Sequence, residues 1–428
     1  MNIPESLIAH ADTLEAYYQE HFPELAPLVR RCFLNTIETT VTEDEDGYFV
    51  ITGDIPAMWL RDSASQVGLY TRFAGDDPGL QKILEGVIAR QAEFILRDPY
   101  ANAFTASTSD PSAGYEDDTL MVPGVWERKY EVDSLTAPVI LSYKYWKAAG
   151  KTGFFDERWK QAAYAIIKVY RTEQDHSSSD YRFSRTNCPE TDTLPNGGAG
   201  NPVVHTGMTW SGFRPSDDRC IYGYLIPSNM AAVVALRELG EIAGEVYKDA
   251  ALKTEALALA GQIEEGIERY GIVQHPVYGR IYAYETDGAD NTVLMDDANV
   301  PSLLAIPYIG YRTGDDEVTR NTRRFVLSSD NPYYNSGQYA RGIGSPHTPE
   351  GYVWHIALIM QAMTSTDRGE IMSILHMLSE THANTCFMHE SFDPDRPGEY
   401  TRSWFAWANT LFAELMQNLM EEGFFDKD

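Results

Sequence analysis

Apolar residues recur at helical spacing down almost the whole chain, and few stretches alternate as a half-buried strand would. Leu80, Ile83, Leu84, Val87, Ile88, Ala92, Phe94 and Ile95 form one such stripe. The same period predicts helices over 28–41, 58–73, 139–149, 159–172, 231–242, 252–270, 352–364, 370–379 and 404–421. About ten to twelve helices with few strands can bury their stripes only against one another, so the expected fold class is all-α, helix packed on helix. No linker-like stretch divides the 428 residues, and one domain spanning 1–428 is expected. Long irregular connections at 98–127 and 174–209 interrupt the helices, and loops of that length in a compact domain are usually functional.

Charge narrows the partners. With 63 acidic against 34 basic residues the formal charge is −29, which repels nucleic acid and anionic membranes and favours a neutral substrate. Cys32, Cys188, Cys220 and Cys386 lie far apart without Cys-x-x-Cys spacing, so free thiols are expected rather than a zinc knuckle or a redox pair. The first twelve residues lack the basic and apolar regions of a secretory signal, and no run of about 18 apolar residues occurs, so a soluble, cytoplasmic protein is expected. Gly-x-Gly-x-x-Gly, Gly-x-x-x-x-Gly-Lys and Gly-x-Ser-x-Gly are all missing, which removes the starting points for nucleotide binding and serine hydrolysis.

Three segments concentrate chemistry. In Gly53-Asp54-Ile55-Pro56-Ala57-Met58-Trp59-Leu60-Arg61-Asp62-Ser63 a Gly-Asp turn is expected to open a helix, with Asp54 capping and Pro56 in the first turn. Trp59, Arg61 and Asp62 then offer an apolar face, fixed donors and an acceptor, which suit a sugar ring as well as they suit a structural contact. Ser216-Asp217-Asp218 crowds two carboxylates, which raises one pKa as a general acid requires; the same residues also serve as a helix N-cap. Met388-His389-Glu390-Ser391-Phe392 places a glutamate on a loop before a closing helix, where it can act as a general base. A zinc helix would need a histidine four residues after His389, and that position holds Asp393. Asp287, Asp290, Asp296 and Asp297 lack an EF-hand register and read as ordinary solvated acids, so no metal is expected.

Together with Trp126-Glu127-Arg128-Lys129-Tyr130-Glu131-Val132-Asp133-Ser134-Leu135, Gly207 to Asp218 and Tyr224 to Met230, these segments resemble glycoside hydrolase family 125 along nearly the whole chain. The resemblance implies an (α/α)6 barrel whose long loops form a pocket at one mouth. It also implies an inverting exo-α-1,6-mannosidase that acts on mannose-containing oligosaccharides without metal or cofactor. Carried over by motif, the general acid is Asp217, with Asp218 as fallback, and the base is Glu390. Arg61, Asp62 and Asp133 would hold the terminal mannose between Trp59 and Trp126, with Asp218 and His389 also at the substrate. The alternatives are a helical-barrel glycosidase of other specificity and an inactive carbohydrate-binding protein.

Overall fold

The protein, described here by a computed structural model, is defined over residues 3–426, so the outermost residues of the expected 1–428 domain lie outside the described ones. Among the described residues there are twelve helices of nine residues or more, and the N-termini of ten of them fall into two kinds. Those starting at Pro78, Glu157, Ala250, Glu317 and Arg368 are each preceded by an aspartate, Asp77, Asp156, Asp249, Asp316 and Asp367, whose carboxylate accepts backbone N–H groups of the first turn. Those starting at Leu60, Val132, Ile226, His355 and Ala406 follow extended residues and have no side-chain cap.

The two kinds occupy different layers. The helix Val132–Ala149 packs on Leu60–Gly68 and on Ile226–Glu245, while Ala406–Glu421 packs on Leu60–Gly68 and on His355–Met363. These uncapped helices form the inner layer. Capped helices lie outside them: Pro78–Arg97 against Glu157–Glu173, Ala250–Tyr270 along Ile226–Glu245, and Arg368–Thr381 along His355–Met363. The chain also closes on itself, since Thr410 Oγ1 donates to Gln66 O at 3.2 Å and Tyr18 Oη to Met416 O at 2.8 Å. An uncapped helix start leaves N–H groups and the positive end of its dipole free, so inner-layer N-termini gathered at one place favour acidic neighbours there.

Several boundaries differ from the sequence pattern. The 58–73 helix begins at Leu60, because Met58–Trp59 is a strand paired with Ala103–Phe104, which pairs in turn with Val125–Glu127. Asp54 therefore caps nothing and Pro56 lies outside the helix. The helix expected over 28–41 stops at Asn35, passes through one wide turn at Thr36–Thr40, and gives way to the hairpin of Val41–Asp44 with Gly47–Val50. Short antiparallel pairings recur among the long connections, as in Asp117–Asp118 with Ser184–Arg185 and Ser391–Asp393 with Arg396–Thr401. Pairings of two to four residues rest on backbone hydrogen bonds and need no apolar alternation, so the period could not reveal them.

The four cysteines are free thiols, and among the described residues no helix is long and apolar enough to cross a membrane.

Candidate active site

Arg61, in the first turn of Leu60–Gly68, is the hub of a buried ion cluster. Its Nη1 donates to Glu131 Oε2 at 2.6 Å and to Asp133 Oδ2 at 3.0 Å, and its Nη2 lies 3.2 Å from Asp62 Oδ2 and 3.9 Å from Asp217 Oδ1. Burial works against the guanidinium charge, but Glu131, Asp62, Asp133 and Asp217 hold its pKa well above the usual value. Burial pushes the Asp62 carboxyl up, against the pull of Arg61. Three of these residues come from inner-helix N-termini, as does Ser228, whose hydroxyl donates to Asp133 Oδ1 at 3.0 Å.

Above Arg61 opens a cavity of ≈ 150 Å³ whose lining includes Arg61, Asp62, Asp217, Glu390, Arg402 and His347. Motifs 329 residues apart in sequence thus meet around one space. A larger cavity of ≈ 360 Å³ lies behind Arg61 and Asp133 among Ala64, Ala137, Ile140, Ala231 and Val234. Its lining is mostly apolar, with Lys144, Glu238 and Glu414 among it, and holds neither Asp217 nor Glu390, so the acid–base chemistry belongs to the smaller space.

Asp217 sits at the apex of a turn with φ 65, a backbone conformation that aspartate tolerates better than most residues. Its N–H donates to Arg214 O at 2.9 Å, and its carbonyl accepts from Lys129 Nζ at 2.9 Å. The turn is pinned from below: Ser216 Oγ donates to Asp297 Oδ2 at 2.9 Å, and Asn299 Nδ2 donates to Pro215 O at 3.2 Å. No helix follows, so Ser216-Asp217-Asp218 is not an N-cap. Asp296 and Asp297 are fully buried rather than solvated; Asp296 accepts the N–H groups of Leu303 and Leu304.

The adjacent carboxylates diverge. Asp217 lines the cavity, while Asp218 turns to His347, with its Oδ1 3.2 Å from His347 Nδ1. Burial opposes the imidazolium, yet the hydrogen bond to Asp218, with Glu390 and Asp217 nearby, raises His347 to about 9. A His whose folded pKa is raised contributes stability below its unfolded value, and that contribution is lost as pH rises through about 9. His347→Gln is therefore expected to be less stable than the parent at pH 6 and nearly equal to it at pH 10, as read by urea midpoints.

Glu390 opens the strand Ser391–Asp393, and its Oε1 lies 3.8 Å from Arg402 Nη1. Arg402 also donates through Nε to Asp54 Oδ1 at 2.9 Å and through Nη2 to Thr52 Oγ1 at 3.2 Å, tying the Gly53-Asp54 turn to the Glu390 side of the cavity. Gly53 is required at that junction: its φ is +134, and a Cβ would fall 2.2 Å from Trp404 O. Asp54 is thus a rim residue and an ion-pair partner.

Three expected placements change. Trp59 and Trp126 pack with Ile55, Ala57 and Ala103 instead of facing the cavity, whose aromatic lining is Trp354, Phe405 and Trp407. His389 is buried behind Glu390, stacked on Tyr400 at 3.8 Å, with its Nδ1 3.2 Å from Arg402 O, so it supports the loop without lining the cavity. Asp133 lies under Arg61 and reaches the cavity only through it. Arg402, His347 and Glu131 were not singled out from the sequence; a signal was available for Arg402 and Glu131, which stand inside segments rich in aromatics and acids.

A family model described as metal-independent alpha-mannosidase, GH125, matches residues 22–417. The chain is 40% identical over 421 residues to the meiotically up-regulated gene 157 protein of Schizosaccharomyces pombe, covering 93% of this chain and 82% of that one. A solved Streptococcus pneumoniae structure, described as a metal-independent alpha-mannosidase in a non-productive complex with alpha-1,6-mannobiose, superposes with a TM-score of 0.95 at 44% identity, over 98% of this chain and 99% of that one. A wild-type glycosidase structure at 14% identity and a TM-score of 0.56, covering 93% of this chain and 97% of that one, shares the fold alone.

Proposed function

This chain belongs to the metal-independent α-mannosidases of glycoside hydrolase family 125, and from that premise we propose that it is an inverting exo-α-1,6-mannosidase, built as a single (α/α)6-barrel domain. The observation that carries the reading is that Asp217 and Glu390 line one small cavity floored by Arg61. A space of ≈ 150 Å³ takes a sugar ring and not a long chain, and a floor of buried charge gives it a closed end, as exo action requires. Arg61, Asp62 and Asn299 line it with polar groups that can pair with ring hydroxyls. Trp354, Phe405 and Trp407 supply faces for the C–H side of the ring. The alternation of capped and uncapped helices in two layers supports the barrel reading.

In this reading Asp217 protonates the glycosidic oxygen, because Asp218 is engaged by His347. Glu390 takes a proton from water attacking the anomeric carbon on the opposite face, and Arg402 and His347 steady its charge. Arg61 and Asp62 hold the terminal mannose. The two carboxyl groups should stand roughly 6.5–9.5 Å apart, leaving room for that water. The substrate is a mannose-terminated oligosaccharide, and the free thiols and acidic charge suit the reducing cytoplasm.

The anomer released first tests the mechanism. With α-1,6-mannobiose, proton NMR should show β-mannose before mutarotation; α-mannose first would overturn inversion. A panel of α-1,2-, α-1,3- and α-1,6-linked mannobioses with a glucoside control tests the specificity, and turnover of none of them would favour a binding protein.

A further inference from the structure

A general acid must carry a proton, yet Asp217 is surrounded by cations. Lys129 Nζ reaches its carbonyl at 2.9 Å, Arg61 Nη2 lies 3.9 Å from its Oδ1, and His347 shares the cavity wall. Against burial, the hydrogen bond with Glu131, together with Arg61, Lys129 and His347, brings the Asp217 carboxyl down to about 2.

Glu131 lies on the other side of that hydrogen bond. Its side chain is sealed from solvent, with Oε2 accepting from Arg61 Nη1 at 2.6 Å and from Ser134 Oγ at 2.7 Å. Its Oε1 receives only a long 3.5 Å contact from Asn102 Nδ2, the amide that also donates to Asp217 Oδ1 at 3.1 Å. Asn102 is itself fixed, since its Oδ1 accepts the Lys129 N–H at 3.1 Å and its Nδ2 also reaches Glu127 Oε2 at 3.2 Å. Two carboxyl groups brought together this way can be hydrogen-bonded only if one of them carries a proton. Asp133 cannot take this part, because its two oxygens accept from Ser228 and Arg61.

We propose that Glu131 and Asp217 share one proton in the hydrogen bond between their carboxyl groups, beside which the Asn102 amide is held, and that Glu131 is the buried positioning residue from which Asp217 is charged for protonation of the leaving group. The inference rests on Asp217 being the general acid. The Glu131 O–H bond breaks as the Asp217 O–H bond forms, and that proton then passes to the glycosidic oxygen as the C–O electron pair moves onto it. Glu390 meanwhile gains the proton of the attacking water. After product release Glu390 loses one proton to solvent and the Glu131–Asp217 pair regains one. The groups facing the pair are Arg61 and Asp62 from Leu60–Gly68, Asp133 and Ser134 from Val132–Ala149, Glu127, Lys129 and Asn102 from the strand region, and His347 across the cavity. Burial, reinforced by Asp217 and Asp133, holds Glu131 well above the usual carboxylate range despite Arg61.

The test compares Glu131→Gln on two substrates that differ in their need for an acid. On α-1,6-mannobiose kcat/KM should fall about a hundredfold, and the alkaline limb of its pH profile should move to lower pH, where Asp217 alone loses its proton. On 2,4-dinitrophenyl α-mannoside, whose leaving group departs without protonation, the loss should stay within about threefold. Equal losses on both substrates, or an unmoved limb, would overturn the proposal by making Glu131 purely structural. Should Glu131→Gln not fold, Asn102→Leu removes the amide held beside the pair and is expected to give the same substrate-dependent split with a smaller loss; equal losses there would overturn it as well. Asp217→Asn is assayed in parallel: if it still hydrolyses mannobiose at the parent rate, the assignment of the acid has failed and not only the sharing of its proton.

Discussion

Replacing Glu390 with Gln is expected to lower kcat on α-1,6-mannobiose by about 10²–10⁴, and Asp217→Asn to do the same. Glu390→Gln should leave the denaturation midpoint nearly unmoved, because the residue lines the cavity and keeps nearly its shape, whereas Asp217→Asn should lower it, because a carboxyl held down to about 2 contributes stability at neutral pH. Leaving-group chemistry separates the two. A mannoside with a good leaving group should restore Asp217→Asn and leave Glu390→Gln inactive, since water must still be deprotonated. The double variant should be little worse than the poorer single one, as residues that act in one step are not additive. Full turnover in either single variant would show that the two motifs meet for another purpose.

The second large effect concerns Arg61. Had it stood only at a sugar-binding rim, Arg61→Ala would weaken substrate capture and little else. In the fold it is the shared partner of Glu131, Asp133 and Asp62, all buried, with Asp217 close by. Removing it leaves carboxylates facing one another without a counter-charge, and breaking such a buried cluster typically costs about 3–5 kcal/mol. Arg61→Ala should therefore show a sharply lowered urea midpoint together with lost activity. The loss should be partly relieved at low pH, where the stranded carboxylates can be protonated. A variant that keeps the parent's midpoint and only raises KM would show the cluster to be energetically idle.

Much of the scaffold was legible along the chain. Helical period located helices of both layers but not Glu5–His21 or Glu317–Val326, and the five caps, Asp77, Asp156, Asp249, Asp316 and Asp367, stand directly before their helices where a capping rule finds them. The motifs around Arg61, Asp217 and Glu390 were also legible as chemistry. The strand Met58–Trp59 was not: two residues give no periodicity, and the Gly-Asp-x-Pro pattern imitates a helix start. That error carried over to the aromatic walls. Once Trp59 lies in a strand, its ring goes to the cluster with Ala57, Ala103 and Trp126, and the cavity takes Trp354 and Trp407 from other inner-helix starts.

The sequence by itself determined the helical class, the kinds of group available for acid–base work and the family to which they belong. Only the tertiary structure decided which of two adjacent aspartates faces the cavity, because a backbone turn at φ 65 and the pull of His347 send Asp217 and Asp218 in different directions. It alone decided that Arg61 is a buried hub and that Glu131 lies against Asp217. The physical reason is that a residue's chemistry is local, whereas its protonation and partners depend on burial and on charges brought from segments far away in the chain.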